Sequence, residues 1–573
     1  MSKIDLVLLH PPAVYDFRKR SIFYGPVSDV VPSTPVFEMY PFGFTTMANH
    51  LHSLGYRVRI VNLASMMLND PHLDVERLIG RLDADVFGID LHWLPHAHGS
   101  LEVAKIVKRI HPGAPVLMGG FSATYFHEEL MRYPQVDLVL RGDSTEIPLG
   151  HLMEAIQGHG SLEEVPNLTY REEGRVKQNP LSFVPEDLDY LDIDYGWMVK
   201  AVLRYRDLEG FKPWKDWDRN PLTVVIPVKG CWLNCVECGG SCQAMRTFLG
   251  RERPAFRSPE KVAADLYNIQ TYFRAPTFVV GDIRMAGRGW AERMLTEARR
   301  LGVKNRIAFE LFRPADQELL QMMERNLEGF SLEISPDSHD DRVRSMLGRH
   351  YSNRAMEDTI RKSLDHGCER FDIFFMTGLP GQDRDSALAS SEYVRHLYSL
   401  VDNDPRLVPY TAPLAPFLDP GSLAFENPER YGYRLFARTL EEHRQRLTSP
   451  SWKETLSYET VWMDRDQIAE TSYDAAELLN DIRFECDQIG EDEYLARRER
   501  TDRARRLMGE LDEALAIRDR GEREKRLESL RSRGYRLMES TICQKRELEW
   551  KTGGVLRNAP RVALALLRPK KGR

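Results

Sequence analysis

Lys229-Gly230-Cys231-Trp232-Leu233-Asn234-Cys235-Val236-Glu237-Cys238-Gly239-Gly240-Ser241-Cys242 follows directly on the apolar run Leu222-Thr223-Val224-Val225-Ile226-Pro227-Val228. The order is a strand and then a cysteine loop. Cys231, Cys235 and Cys238 stand at CxxxCxxC spacing, and thiolates set that close suit a soft metal centre. Four of the chain's seven cysteines fall within residues 231–242, and the first 230 residues contain none. Such crowding speaks against a disulfide framework and for a metal site in a reducing compartment, so a cytoplasmic protein is expected.

Working outward, a chain of 573 residues with 42% hydrophobic content has enough apolar material for several buried cores. Domains run to roughly 100–200 residues each, so three or four are expected. The formal net charge of -7 argues against a dedicated nucleic-acid binder, and no nucleic-acid partner is expected. No stretch approaches the roughly 20 apolar residues of a membrane span. The start, MSKIDLVLLHPP, reads as a first strand rather than a signal peptide.

Upstream of the cysteine loop, residues 1–157 alternate strand and helix signals. Apolar runs at Ile4–Leu9, Tyr56–Leu63, Asp85–Leu91, Pro115–Met118 and Val136–Leu140 are separated by helical spacing at Phe42–Leu54 and Ser100–Ile110. This predicts a Rossmann-like parallel sheet, whose ligands lie past the carboxyl ends of its strands. The loops there are His10-Pro11-Pro12, Asp90-Leu91-His92-Trp93-Leu94-Pro95-His96-Ala97-His98-Gly99, Gly119-Gly120 and Gly142-Asp143-Ser144-Thr145. The second packs three histidines into one strand exit, as a ligand or metal site or as packing and surface residues. Residues 158–220 read as a linker with a hairpin at Asn167–Asn179 around Glu172-Glu173-Gly174. Trp214, Lys215 and Trp217 lie just before the central strand, where they could flank a substrate opening, although aromatic packing at a domain junction is the simpler reading.

Downstream, strand runs recur at Thr277–Val280, Ile307–Phe312, Gly329–Ile334, Phe371–Phe375 and Leu407–Leu414. With the run at 222–228 they predict a partial (β/α)6 TIM barrel over residues 221–425, its functional groups at the carboxyl ends of the strands. Residues 426–573 change to charged, helical spacing, with Leu507, Leu511 and Leu515 four apart, and predict a mainly α-helical region packed on the barrel. The end, Val562 to Arg573, sets an apolar turn beside basic residues. That suits weak contact with an anionic membrane surface, although an ordinary frayed terminus is the simpler reading.

The cysteine spacing, the barrel pattern and the downstream motifs together resemble the radical S-adenosylmethionine superfamily. The first domain, with its five strands, its Gly119-Gly120 pair and its Gly-acid-Ser-Thr-Glu turn, resembles the cobalamin-binding module of the class B type. The resemblance implies a 4Fe-4S cluster on Cys231, Cys235 and Cys238, with one iron left open for S-adenosylmethionine. A structural zinc or a ferredoxin centre would want a fourth cysteine, and Cys242 reads as a bystander. The resemblance further implies S-adenosylmethionine contacts from Gly281, Asp282, Glu333, Ser335, Arg349 and the Gly378-Leu379-Pro380-Gly381 stretch. It implies cobalamin contacts from His10, Pro11, Asp90, His92, Gly119, Gly120, Gly142, Ser144 and Thr145. The family's Asp-x-His-x-x-Gly motif is missing after the first strand, and Asp90-x-His92 imitates half of it after the third. The expected reaction is methylation of an unactivated carbon through a 5′-deoxyadenosyl radical and methylcobalamin. An external one-electron reductant such as flavodoxin or ferredoxin and a small-molecule, lipid or peptide substrate would be the partners. Radical cyclisation, carbon–carbon coupling or rearrangement is the alternative, and a non-catalytic iron–sulfur or cobalamin-binding protein a third.

Overall fold

Ile4-Asp5-Leu6-Val7-Leu8-Leu9-His10 forms strand β1 (Ile4–His10), buried along its whole length. Both faces are covered: Leu6 and Leu8 join one apolar cluster and Val7 and Leu9 another. A strand buried on two sides is the mark of a parallel sheet with helices above and below. The computed structural model describes residues 3–20, 39–414, 417–536 and 554–567.

β2 (Val58–Asn62), β3 (Ala84–Asp90), β4 (Val116–Gly119) and β5 (Leu138–Leu140) complete the parallel part of this sheet. The hairpin β6 (Leu168–Glu172) and β7 (Arg175–Gln178) adds to its far edge antiparallel, giving the order β2-β1-β3-β4-β5-β6-β7. The stretch read as a linker thus supplies two strands to the first sheet. It also supplies the helix Tyr195–Tyr205, whose Trp197 and Ala201 pack on the same face as Leu6 and Leu8. Consecutive strand order reverses between β1 and β3, so their exits form the switch point at which doubly wound sheets bind ligands.

The barrel comes next. β8 (Thr223–Val225) leads into a short ribbon of β9 (Val228–Lys229) and β10 (Ala255–Phe256). β11 (Thr277–Val279), β12 (Ile307–Leu311), β13 (Phe330–Asp337), β14 (Cys368–Thr377) and β15 (Leu407–Pro413) follow, in the all-parallel order β8-β11-β12-β13-β14-β15. Phe309, Leu332, Ile334, Phe371 and Ile373 join the apolar cluster shared with the surrounding helices. The alternate residues Glu310, Glu333, Ser335, Asp372 and Phe374 therefore line the interior.

After the barrel, β16 (Tyr433–Leu435) and β17 (Tyr458–Thr460) form an antiparallel ribbon, and helices follow. The helix Arg465–Glu485 lies along the edge strand β15, where Arg483 donates to the Pro409 carbonyl at 2.5 Å. Covering an edge strand removes its open hydrogen-bonding groups. The helix Ala559–Leu567 docks at the base of the barrel: Arg561 donates to the Gln270 carbonyl at 2.6 Å and Val562 packs on the barrel's apolar cluster. Part of the apolar turn expected to meet a membrane is thus spent on the protein itself, and the basic end 568–573 lies outside the described residues. Among the described residues no helix is long and apolar enough to cross a membrane.

The exits of β1 and β3 are locked together at Gly99, whose N–H donates to the Ala13 carbonyl at 2.9 Å. A Cβ there would lie 1.7 Å from the Pro12 carbonyl oxygen, so the backbones touch only because the residue is glycine. Gly99→Ala should therefore destabilise the first domain by about 3 kcal/mol or more. Gly113→Ala, where a Cβ meets nothing within 4 Å, should stay within about 0.5 kcal/mol of the parent. Urea unfolding of the two variants side by side checks the contrast.

Candidate active site

The cysteine loop is held from several directions. It starts at Gly230, in the left-handed region at φ +94°. Backbone N–H groups of Leu233 and Gly240 donate to the sulfurs of Cys231 and Cys238, each at 3.3 Å. Val236 N–H donates to the Leu347 carbonyl at 3.1 Å. Gly239 N–H donates to Asp419 Oδ2 at 3.0 Å, and the Tyr433 hydroxyl donates to Glu237 Oε1 at 2.9 Å. Cys242 opens the helix Cys242–Leu249, and its N–H closes the loop on the Leu233 carbonyl at 2.8 Å.

Burial pushes the Cys231 thiol up to about 11 and raises Cys235 and Cys238 as well. Three such sulfurs stay neutral unless a bound cation draws off their protons. The donor set thus fits an iron–sulfur cluster held by three thiolates. Glu237 is raised to about 8, first by burial and then by nearby Asp337.

The residues expected to hold S-adenosylmethionine divide into groups. Gly281, at φ +86°, follows β11, and its N–H donates to Glu310 Oε2 at 2.8 Å. Asp282 lies beside it with its carboxylate fully engaged. It accepts from Arg284 Nε at 2.8 Å and Nη2 at 2.5 Å, and from the N–H groups of Arg284 and Phe312, each at 3.0 Å. It fixes the turn after β11 and has no oxygen to spare for an amino group. Glu310, which accepts only the Gly281 N–H among the hydrogen bonds of that turn, is the less engaged of the two carboxylates. Glu333 was placed at a strand end, but β13 runs on to Asp337, so Glu333 sits inside the barrel in register with Glu310 and Asp372. Burial raises Glu333 well above the usual carboxylate range, and Glu310 and Asp372 add to it against Arg370. Ser335 lies two residues further toward the carboxyl rim on the same inward face.

Arg349 pairs with Asp337 at 2.7 Å. The turn before it presses on the cysteine loop, where a Cβ on Gly348 would come 2.8 Å from the Asn234 carbonyl oxygen. Gly378-Leu379-Pro380-Gly381 is a buried turn. Gln382 Oε1 accepts from the N–H of Gly378 at 2.9 Å, and the Tyr433 hydroxyl stands 3.2 Å from the Gly378 carbonyl. Leu379 packs with Val343 and Leu347.

At the first sheet's carboxyl edge, His10 and His92 each face Asp90, Nδ1 to carboxylate at 3.0 and 2.7 Å. The His96 ring lies 4.8 Å from that of His10 and 4.9 Å from that of His92, centre to centre. Burial alone would raise the Asp90 carboxyl, but the two imidazoles overrule it and hold it well below the usual range. His98 stands apart, accepting from the Tyr15 N–H at 3.2 Å. The Gly119-Gly120 pair does not leave an open groove: a Cβ on Gly120 would lie 2.3 Å from the His92 Cα. Gly142 backs onto Asn167, and Ser144 is buried beside Arg251 Nη2 at 3.3 Å. The part of this edge that remains open is its rim, with half-buried His92, Gly119, Gly120 and Thr145 and the exposed ring of Phe121. Gly142 and Ser144 are committed to packing within the chain, and the Cβ position of half-buried Gly120 is taken up by the His92 backbone.

The rim faces the cysteine loop. Trp93 Nε1 donates to Asp419 Oδ1 at 2.8 Å, on the same carboxylate that holds Gly239. Arg251 pairs with Asp143, and Lys229 reaches Glu146 at 3.4 Å. None of Glu146, Lys229, Arg251, Glu310, Asp337, Asp419 and Tyr433 was assigned a role from sequence. The signals in the sequence are the inward position of Glu310 on an alternating strand, the Glu146 that ends the Gly-acid-Ser-Thr-Glu turn, and Asp419 at the head of Asp419-Pro420-Gly421-Ser422.

A three-thiolate loop at the carboxyl end of an all-parallel half-barrel, facing a doubly wound domain, defines a two-domain radical S-adenosylmethionine architecture. Family models agree: B12 binding domain matches residues 29–149 and Radical SAM superfamily matches residues 225–394. Residues 29–149 therefore form a B12 binding domain and residues 225–394 a radical S-adenosylmethionine domain. It is 30% identical over 178 residues to an uncharacterized methyltransferase of Pyrococcus horikoshii, covering 31% of this chain and 36% of that one. It is 25% identical over 253 residues to hopanoid C-3 methylase of Methylococcus capsulatus, covering 44% of each. The match thus spans less than half the length of either relative. Among solved structures it is similar to the radical S-adenosylmethionine methyltransferase TsrM of Kitasatospora setae with cobalamin and 4Fe-4S cluster bound. There the TM-score is 0.54 at 15% identity, over 76% of this chain and 81% of that one, a likeness of fold.

Asp282→Asn separates the two roles open to that carboxylate. It should cost about 1–3 kcal/mol of stability by weakening the clamp on Arg284. The dissociation constant for S-adenosylmethionine on the cluster-loaded protein should stay within about threefold. Equilibrium dialysis beside thermal unfolding checks both. A lost affinity with an unchanged melt would return Asp282 to the ligand.

Proposed function

We propose that the chain is a cobalamin-dependent radical methyltransferase that methylates an unactivated carbon. The observation that carries this is the three-thiolate loop facing the open rim of the first sheet, with Asp419 joining the two. When bound, the cluster, S-adenosylmethionine and cobalamin supply the radical chemistry and a transferable methyl group. The chain's own residues position and enclose. Cys231, Cys235 and Cys238 hold the cluster. The Gly281 turn, kept in place by Glu310 and Asp282, presents backbone to S-adenosylmethionine, with Ser335 on the inward face. Arg349 and Asp337 brace the cysteine loop from behind. Phe121, His92, Gly119, Gly120 and Thr145 make the rim that would hold cobalamin. The substrate, a small molecule, lipid or peptide, reaches the space between rim and barrel, and a flavodoxin or ferredoxin delivers the electron.

A second reading keeps the radical and drops methyl transfer, leaving cyclisation, coupling or rearrangement. The packing of Gly120 and Ser144 against the chain favours it, because those two residues then owe nothing to a nucleotide tail.

Anaerobic turnover with methyl-labelled S-adenosylmethionine tests the proposal. The parent protein should form 5′-deoxyadenosine and bind added cobalamin with its own absorption bands. Cys235→Ala should form no 5′-deoxyadenosine and lose cluster iron. Retained 5′-deoxyadenosine in that variant overturns the cluster assignment. Failure to bind cobalamin by an otherwise active protein favours the second reading.

A further inference from the structure

We propose that His10, Asp90, His92 and His96 form a binding site for one first-row divalent ion, zinc or iron(II), between the exits of β1 and β3. The site is separate from the cysteine loop, and it stands whether or not the reaction is methyl transfer.

The geometry supports it. One donor atom from each of the four residues lies within 4.8 Å of every other. A tetrahedral ion with bonds of about 2.0–2.1 Å holds its ligands roughly 3.4 Å apart. The His10 and His92 nitrogens already stand 3.0 and 2.7 Å from the Asp90 carboxylate, inside that spacing. His10 and His96 are fully buried and Asp90 is 3% exposed. A buried carboxylate is satisfied by one or two donors. A third imidazole in the same space adds polar surface with no apolar gain, which a site serving packing alone would avoid. Three imidazole nitrogens and one carboxylate oxygen suit zinc or iron(II). The absence of thiolate disfavours copper(I), and the nitrogen majority disfavours magnesium and calcium.

The frame is rigid. The Ser100 hydroxyl donates to the Asp90 carbonyl at 2.6 Å, and Leu91 N–H donates to the Gly119 carbonyl at 2.8 Å. Gly120 lets the His92 backbone sit against the end of β4, and Gly99 lets the exit of β3 touch the loop after His10. Both glycines hold ligand-bearing backbone in place, which is what a preorganised metal site requires. His10 comes from one strand and the Asp90-x-His92-x-x-x-His96 set from its neighbour, so an ion here ties two strand exits. Four protein ligands leave no open position, which makes the role structural. His92, with 23% of its side chain exposed, gives the ion a way in.

The test uses the full chain carrying Cys231→Ala, Cys235→Ala and Cys238→Ala, which removes cluster iron, made without cobalamin, stripped with chelator and titrated with zinc. One equivalent should bind, with a rise in melting temperature, and cobalt(II) added alone should give the visible absorption of a tetrahedral nitrogen–oxygen site. His92→Gln and Asp90→Asn, checked for folding by circular dichroism, should each weaken zinc binding at least tenfold and lose the melting shift. Zinc binding unchanged in a folded His92→Gln overturns the site, and so does a folded parent that takes up no ion. If neither zinc nor cobalt(II) binds, but cob(II)alamin shows nitrogen coupling that His92→Gln removes, the histidines serve cobalamin and the metal proposal fails.

Discussion

Asp419 accepts from two directions at once, the Trp93 indole on one side and the Gly239 backbone N–H on the other. The first bond reaches into the doubly wound domain and the second into the cysteine loop. This one carboxylate fixes how far the strand exits of the first sheet stand from the three thiols. Burial raises it above the usual range, and these two donors oppose that rise. Around it, Arg251 grips Asp143, and Lys229, two residues ahead of Cys231, reaches Glu146. Each contact joins a strand-exit loop of one sheet to the entry or exit of the cysteine loop. Glu146 also accepts from Thr46 at 2.7 Å within its own domain, so the cross-gap contacts add to partners already present. Buried charges are tolerated when paired and costly when not.

The barrel interior carries the opposite bias. Glu310, Glu333 and Asp372 stand in one register layer, on three adjacent strands. Arg370 acts on Glu333 and Asp372, pairing with Asp372 at 2.9 Å and touching the Tyr410 hydroxyl at 2.5 Å, while Arg349 is the cation nearest in effect to Glu310. Such a layer is expensive in folding terms, since burial raises all three carboxyls. Glu310 offsets part of that cost by accepting from Gly281. Polar side chains kept in a barrel interior at this expense are what chemistry near the cysteine loop requires, and packing alone would favour apolar ones.

What could be read from sequence was local in origin. The cysteine loop is a covalent spacing, and the six barrel strands are short apolar runs whose alternation survives folding. Both therefore showed through. The partners of the site come from far along the chain. Asp282 and Glu310 are 28 residues apart by number, and Asp282 is the more heavily engaged because Arg284 and Phe312 close on it while Glu310 accepts from Gly281. Glu333 lies inside the barrel because β13 runs three residues past Ile334, a continuation set by pairing with β14 rather than by local propensity. The hairpin at 168–178 was visible, but its docking on β5 is a sheet-edge choice that no spacing encodes. His10 and Asp90 are 80 residues apart, and only the order of the parallel strands makes them neighbours.

Gly120 shows why motif and geometry must be argued together. By resemblance it lets a nucleotide tail approach the backbone. In the fold its missing Cβ is filled by the His92 backbone, at a φ of +117° that a side chain would strain. A glycine can serve either purpose, and the residue beside it decides which. Here that residue is a histidine sharing a buried carboxylate with His10, so the constraint on Gly120 passes directly to the position of two imidazoles. The same edge then has two layers with different tasks. Phe121 and Thr145 stand at the outer rim, His10 and His96 are buried beneath it, and half-buried His92, held by its backbone contact with Gly120, belongs to both layers.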